Sequence, residues 1–235
     1  MFSPEYWTGL YSLFSDTTYW SKLFDLLTPA VGDTVYMVIV SIFFAYLIGL
    51  PLGVILVISS PGHIKPNRFI EPTLGTLVNI LRSAPFIILL VALMPVTRAI
   101  VGTTIGTTAA IVPLVISAAP FVARVVETSF KEVPHGVIEA ALAMGASPWQ
   151  IITKVLIPES KSSLILGVAI TTISLIGYTA MAGAVGGGGL GDLAIQYGYN
   201  RFRTDIMVFT IVILVLIVQL IQFIGTKLAR RLAHH

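Results

Sequence analysis

Long apolar stretches alternate with short polar ones along this chain, and this pattern predicts its architecture. Five stretches are long enough for a helix that crosses a bilayer core, which takes about 20 residues. These predicted spans are about 31–58, 72–96, 104–126, 163–185 and 205–226. Glycine and proline bound them, as Pro61 and Gly62 do after the first. An odd number of spans places the two ends of the chain on opposite sides of the membrane.

The composition agrees with an integral membrane protein. Of the 235 residues, 56% are hydrophobic and 11% are charged, and the mean hydropathy is +0.93. This balance lies outside the range of soluble domains. Cysteine is absent, which excludes disulfides, thiolate metal sites and a cysteine nucleophile. We predict an all-α protein with a transmembrane domain over residues 31–235.

The placement of lysine and arginine predicts the orientation, because cytoplasmic loops carry an excess of these residues. With the C-terminus inside, nine cations lie on the cytoplasmic side: Lys65, Arg68, Arg124, Lys131, Lys154, Lys161, Lys227, Arg230 and Arg231. Four lie outside: Lys22, Arg98, Arg201 and Arg203. The N-terminus is therefore predicted to be outside and the C-terminus cytoplasmic. The basic tail is expected to contact anionic membrane lipids.

Residues 1–30 interleave aromatic side chains with serine, threonine and aspartate. This mixture favours an interfacial helix on the outer face of the membrane. The acidic, threonine-rich middle of the segment is equally compatible with a partly disordered extension. We predict a separate outer extension over 1–30.

The polar segment 132–158 is predicted to form two short helices that meet at Gly145. Apolar residues line one face of the first helix, with Glu139 at its edge. Gly145 can adopt a positive φ and end that helix. Ser147 and Pro148 are typical of the start of the second. The spacing leaves open whether this pair lies on lipid headgroups or binds another protein.

The same segment resembles the signature EAA-x3-G-x9-I-x-L-P of the membrane subunits of bacterial ABC importers. Val155 and Ile157 depart from it conservatively. In that family the segment is a coupling helix that docks on a cytoplasmic ATPase subunit. The resemblance implies a type I ABC importer permease fold, with five transmembrane helices and a cytoplasmic coupling helix pair. The implied ATPase-docking residues are Glu139, Ala140, Ala141, Gly145, Val155, Ile157 and Pro158.

Further stretches are similar to the methionine-import permease subfamily, over about residues 32–231. These stretches are 79–90, 109–114, 118–124 and 177–186. The resemblance implies a homodimeric permease for L- or D-methionine in the bacterial cytoplasmic membrane. The implied partners are two ATPase subunits that bind ATP and Mg, an external methionine-binding protein or lipoprotein, and no nucleic acid. Another small amino acid or thioether is the alternative cargo, and no cofactor is expected in this chain.

Two other classes compete with this interpretation. An ion-coupled carrier usually has internal repeats and buried carboxylates, whereas the acidic residues here fall at span ends or in loops. An intramembrane enzyme needs catalytic or metal-binding groups inside the spans, and the four histidines all lie outside them. The chain also lacks the G-x-x-x-x-G-K-[ST] pattern that holds ATP. We expect a transport subunit that is not itself an enzyme.

The run Gly186–Gly191 formally satisfies the dinucleotide pattern G-x-G-x-x-G. No β-strand and helix unit surrounds it, so we reject that function. The glycines are expected to allow close backbone packing or a bend at the outer mouth. A flexible loop is the alternative.

Arg82 is the one cation that the hydropathy pattern places inside a span. Pro85 frees a carbonyl at the same level, which loosens the helix there. Arg82 is predicted either to face a translocation path or to pair within the protein. The small residues of the fourth span favour close packing between helices. The alternative is that residues of this span line the translocation path. The candidate path or gate residues are Arg82, Ser83, Pro85, Tyr178, Thr179 and Met181.

Overall fold

The computed structural model describes residues 17–232, and its regular structure within that range is helical. The N-terminal part of the predicted extension, 1–16, lies outside the described residues. The helices are α1 (Thr17–Ser59), α2 (Ile70–Ser83), α3 (Phe86–Ala92), α4 (Met94–Val101), α5 (Thr107–Lys131), α6 (His135–Ala143), α7 (Pro148–Ile151), α8 (Ile157–Glu159), α9 (Lys161–Gly183), α10 (Gly189–Leu193) and α11 (Thr204–Leu232). Two π-helical segments are Ile152–Leu156 and Ala194–Tyr199.

Four of the described helices, α1, α5, α9 and α11, are long and apolar enough to cross a membrane. The remaining predicted crossing, which is the second along the chain, is broken into shorter helices. The predicted continuous span 72–96 is wrong, because α2 and α3 meet at an angle of 99° and α4 follows as a third piece. Ala84 is extended, with ψ 126°, as expected for the residue before a proline. Pro85 lacks the N–H that would continue the helix.

The boundary predicted at residue 30 is not a structural boundary. Helix α1 continues through it, so the described part of the extension is one helix with the first span. Leu23 and Leu27 are buried in a cluster with Leu190 and Ile206. The Tyr19 hydroxyl donates to Asp205 at 2.7 Å. These tertiary contacts hold the segment as a helix, and its composition could not reveal them.

Helix α1 packs along α5 at two glycines that stand four residues apart. A Cβ on Gly49 would lie 2.5 Å from the carbonyl oxygen of Ala119, and one on Gly53 would lie 2.6 Å from that of Ala123. Small residues at this spacing let membrane helices approach closely. The G-x-x-x-G pattern at 49–53 is readable in the sequence.

The loops gather at two ends of the bundle. At one end, the His63 and His135 rings lie 5.0 Å apart, and the Ser162 hydroxyl donates to the carbonyl of Ala229 at 3.1 Å. These contacts place the α1–α2 loop, the α5–α6 connection and the end of α11 together. The other end holds the glycine run.

The glycine run is a packed structure among the described residues. Gly191 and Gly187 lie against the backbones of Ala180 and Ala182 too closely to admit a Cβ. The N–H of Leu190 donates to the Thr34 hydroxyl at 2.9 Å. Of the two predictions for this run, close backbone packing is therefore confirmed and the flexible loop is not. The run joins α9 to α1.

Replacing Gly49 with alanine should destabilise the protein, because the added methyl group overlaps the α5 backbone. We expect a loss of about 1–3 kcal/mol, the range for overpacking in a close-packed core. Gly32→Ala, on the same helix with open space around its Cβ, is the matched control. Thermal unfolding of both variants in detergent measures the difference. Equal midpoints for the two would contradict the close α1–α5 contact.

Candidate functional site

The helix pair predicted from the polar segment is present at the basic end of the bundle. Helix α6 ends at Ala143, and Gly145 has φ 79°. The N–H of Gly145 donates to Leu142 and that of Ala146 donates to Ala141, at 2.9 and 3.1 Å. These bonds satisfy carbonyls at the helix end, and the positive φ explains the glycine. The predicted turn is confirmed.

The second helix starts at a capping box. The Gln150 N–H donates to the Ser147 hydroxyl at 3.4 Å, and the Ser147 N–H donates to the Gln150 side chain at 2.8 Å. Pro148 occupies the first turn. Reciprocal bonds of this kind satisfy donors that a helix start leaves free. The predicted cap is confirmed, and it fixes the direction in which the second helix leaves the turn.

One face of the pair is buried against the end of α5. Ile138, Ile151 and Leu156 belong to the same core cluster as Phe130 and Val133. A close-packed contact of this kind transmits displacement rather than absorbing it. The pair is therefore a rigid extension of α5, and it leads directly into α9.

The opposite face is exposed and apolar. Met144 is 81% exposed and Trp149 is 72% exposed, and both flank the Gly145 turn. Glu139 and Ala140 are exposed beside them. Large apolar side chains presented together on a soluble surface mark an interaction site. Trp149 was not among the predicted docking residues, although a tryptophan following Ser-Pro at a helix start was a readable sign.

Several predicted docking residues point inward instead. Ala141 is only 4% exposed, because it lies three residues after Ile138 on the buried face of α6. Val155, Ile157 and Pro158 are partly buried, and the first two pack against the core. Ala141 therefore packs against the core of its own chain in this arrangement, and its part in docking stays a prediction. These positions of the signature shape the pair, and the exposed ones present the surface.

A buried carboxylate stands where α5 meets the pair. Glu127 accepts from Arg124 at 2.6 Å and from Lys131 at 2.7 Å. Arg124 also donates to Asn79 of α2 at 2.6 Å. The cluster ties the broken second crossing to α5. Sequence reasoning missed it, although i, i+3 and i, i+4 charge spacing was available.

The candidate path residues fall into two groups. At the break, Arg82 is exposed with its guanidinium 5.8 Å from the Phe121 ring centre. Ser83 donates to the carbonyl of Asn79 at 2.8 Å, and Pro85 begins α3. These side chains lie at the α2–α3 bend, where Arg82 faces Phe121 of α5.

The second group lies on α9. Tyr178 stacks on Phe86 of α3, with ring centres 4.6 Å apart and planes at 10°. Met181 is 47% exposed. Thr179 is the exception, because it is buried and donates to the carbonyl of Ile176 at 2.8 Å. In this conformation it faces the packed interior of the chain, and its place among the path-lining candidates stays a prediction. One exposed stripe along α9 contains Met181 together with Leu166 and Ile170.

These features define a helical, multi-pass membrane subunit with a broken crossing and an exposed helix pair at one end. Residues 49–234 match the family of binding-protein-dependent transport system inner membrane components. The chain belongs to that family. Membership confirms the predicted all-α permease of an ABC importer, a transport subunit rather than an ion-coupled carrier or an enzyme.

The relatives are similar over most of their length. The probable D-methionine transport system permease protein MetI of Vibrio cholerae is 52% identical over 89% of this chain and 93% of its own. The D-methionine transport system permease protein MetI of Escherichia coli K12 is 53% identical over 67% of this chain and 73% of its own.

Solved structures agree in fold. A chain of the MetNI methionine ABC transporter in an inward-facing conformation is 51% identical, with a TM-score of 0.87 over 88% of this chain and 96% of its own. A chain of an amino acid ABC transporter solved with histidines is 18% identical, with a TM-score of 0.75 over 92% of this chain. The second likeness shows the fold alone.

His63 makes the basic end sensitive to pH. Its pKa is lowered by burial and by the positive potential of His135 and Lys131, and its Nδ1 has no hydrogen-bond partner among the described residues. The unfolded chain then binds a proton that the folded chain does not. The stability that neutral His63 contributes is complete above about pH 6.5, the ordinary pKa, and falls as the pH drops toward the lowered folded value.

We expect the thermal midpoint of the wild-type protein to fall more steeply between about pH 7.5 and 5.5 than that of His63→Gln. Tryptophan fluorescence during heating in detergent measures both slopes. Parallel slopes would show that His63 is not the titrating group.

Proposed function

We propose that this chain is the membrane subunit of an ATP-driven importer of methionine, in the L or D form. The observation that carries the proposal is the 52% identity over 89% of the chain to a relative named for D-methionine transport. The MetNI transporter supports the assembly that we propose. In the proposed assembly, two copies of this chain form the translocation path, and two ATPase subunits bind ATP and Mg. An external binding protein or lipoprotein delivers the cargo.

We propose that the exposed face of the helix pair docks on the ATPase. Met144 and Trp149 supply the apolar anchors, with Glu139, Ala140 and Gly145 beside them. Large aromatic side chains in such positions commonly carry most of the binding free energy. The inward-facing residues of the signature hold the pair against α5 and keep this surface in place.

Force from the ATPase would then reach the membrane as rigid-body motion. Closure of two ATPase subunits displaces both helix pairs, and each pair moves the ends of α5 and α9 because it is packed on one and continuous with the other. Such displacements switch the bundle between two packings. The cation cluster around Glu127 carries the motion to α2 through Asn79.

The proposed orientation has the N-terminus outside and the C-terminus in the cytoplasm. The α1–α2 loop, the α5–α6 connection and the end of α11 lie together. With the end of α5, the helix pair and the start of α9, this end holds eight of the 14 lysine and arginine residues: Lys65, Arg68, Lys131, Lys154, Lys161, Lys227, Arg230 and Arg231. A basic end of this kind faces the cytoplasm in membrane proteins. The same side is the one from which an ATPase subunit can reach the helix pair.

Reconstitution tests the function directly. The chain should be assembled with its ATPase subunit in proteoliposomes and supplied with candidate binding proteins. We expect methionine-dependent ATP hydrolysis and uptake, with L- and D-methionine compared under the same conditions. If only a different amino acid stimulated ATP hydrolysis, the chain would still be an ABC importer subunit, but its cargo would not be methionine. Uptake without any ATPase subunit would contradict the proposed class.

Gly145→Asp should uncouple transport while the permease still folds. The position has open space around a built Cβ, so the added side chain meets the partner rather than this chain. We expect the cargo-stimulated ATPase rate to fall by about tenfold or more. Gly62→Asp is the matched control, with φ 81°, the same open surroundings and the same end of the bundle. Normal transport by Gly145→Asp would overturn the docking assignment.

Truncating the exposed anchors should weaken the complex itself. We expect Trp149→Ala to reduce the affinity for the ATPase subunit by about 30-fold, the effect of losing about 2 kcal/mol at an interface hot spot. Phe69→Ala is the control, since Phe69 is comparably exposed on the α1–α2 loop. Retention of tagged ATPase during purification, followed by titration, measures the loss. Equal retention by both variants would exclude Trp149 from the interface.

A further inference from the structure

Arg82 lies deep in the membrane layer. It is twelve residues along α2 from Ile70, which is about 18 Å at 1.5 Å per residue. Phe121, which its guanidinium faces, lies ten residues before the end of α5, or about 15 Å. The apolar core of a bilayer is about 30 Å thick. With Ile70 and Lys131 at the membrane surface, both measures place the guanidinium near the middle of the membrane.

The positive charge at this depth is not neutralised within the described residues. No carboxylate lies within ion-pair distance of Arg82 in the range 17–232. Its neighbour Arg124 shares the single carboxylate of Glu127 with Lys131. Among the described residues, Glu127 is thus the one carboxylate that Arg124 and Lys131 share, and Arg82 has none.

Lipid cannot be the medium that faces this charge. An arginine at the bilayer centre costs several kcal/mol unless it faces protein or water. Broken helical backbone is tolerated at this depth only where it is buried in protein or lines a water-filled cavity. The break at Ser83 and Pro85 adjoins Arg82 and has the same requirement. Charge and backbone together indicate a hydrated surface on this side of α2.

A cleft of about 280 Å³ opens there between α2, α5 and α9. Its polar lining includes Arg82, Arg124 and the hydroxyl residues Thr128, Ser129 and Ser163, and its apolar lining includes Phe121, Val125 and Ile170. The cleft thus combines cationic, hydroxyl and apolar lining residues. It also continues into the exposed stripe of α9 that leads to Met181.

We propose that this cleft binds the carboxylate of the transported amino acid, with Arg82 as the residue that contacts it. This inference rests on the proposed function. The planar guanidinium can hold a carboxylate through two parallel hydrogen bonds. The apolar lining residues then accept the cargo side chain, and Phe121 suits a thioether, since sulfur contacts aromatic rings favourably. The site lies on the path, between delivery on the outer side and release inside.

The phosphate of an anionic lipid offers the same chemistry, so the test separates the two sources. Arg82→Ala, Arg82→Lys and the control Arg98→Ala should be assembled with the ATPase subunit. Each complex is placed in vesicles of phosphatidylcholine, with and without phosphatidylglycerol. Uptake of labelled L-methionine, ATP hydrolysis stimulated by loaded binding protein, and retention of the ATPase subunit are measured in each case.

We expect Arg82→Ala to transport about tenfold less methionine per ATP, with its stimulated ATP hydrolysis and subunit retention unchanged. Arg82→Lys should be intermediate, because it keeps the charge and loses the two-point contact. Arg98→Ala, altered at an exposed arginine of α4, should match the wild type.

Three results would overturn the inference. An unchanged ratio of transport to hydrolysis would exclude Arg82 from the path. A joint loss of hydrolysis and retention would assign it a structural role. A defect confined to vesicles with phosphatidylglycerol would identify lipid phosphate as the ligand. Failure of the proposed function is separate, since the wild-type complex would then not respond to methionine at all.

Discussion

The close approach of α1 to α5 is the contact on which the rest of the structure depends. Gly49 and Gly53 let the two backbones meet where any side chain would overlap a carbonyl oxygen. With α1 held there, α5 is the central helix, and α2, α9 and the helix pair are all placed by packing on it. In lipid, where apolar burial alone drives little association, such backbone proximity is a main source of stability.

Helix α5 also connects the helix pair with the break beside Arg82. Its basic end carries the helix pair and the buried Glu127, and its middle carries Phe121 beside the break in the second crossing. In the proposed mechanism, a displacement at the pair reaches Arg82 through packed and hydrogen-bonded groups along α5. The bend at Ala84 and Pro85 separates α2 from α3, so in the proposed mechanism a change of the angle between them is accommodated there.

Much of this could be predicted from the order of the residues. The lengths of the apolar stretches predicted the crossings. Glycine, serine and proline predicted the turn and the cap of the helix pair, because turns and caps depend on local preferences of the backbone. The break at Pro85 was only half foreseen: the proline indicated a loosened helix, and the structure shows a bend of 99°. The continuation of α1 through residue 30 was not foreseen, because burial of Leu23 and Leu27 depends on residues far along the chain.

By itself, the sequence determined that this is a multi-pass helical membrane protein, which end of it is basic, and that a glycine-centred helix pair interrupts the spans. These follow from composition and short-range backbone preferences. Only the tertiary structure decided which side of the pair is free. It buried Ala141 and exposed Trp149, and it placed Arg82 near Arg124 with no carboxylate within ion-pair distance among residues 17–232. Those outcomes depend on which helices meet, and close packing between distant segments sets that.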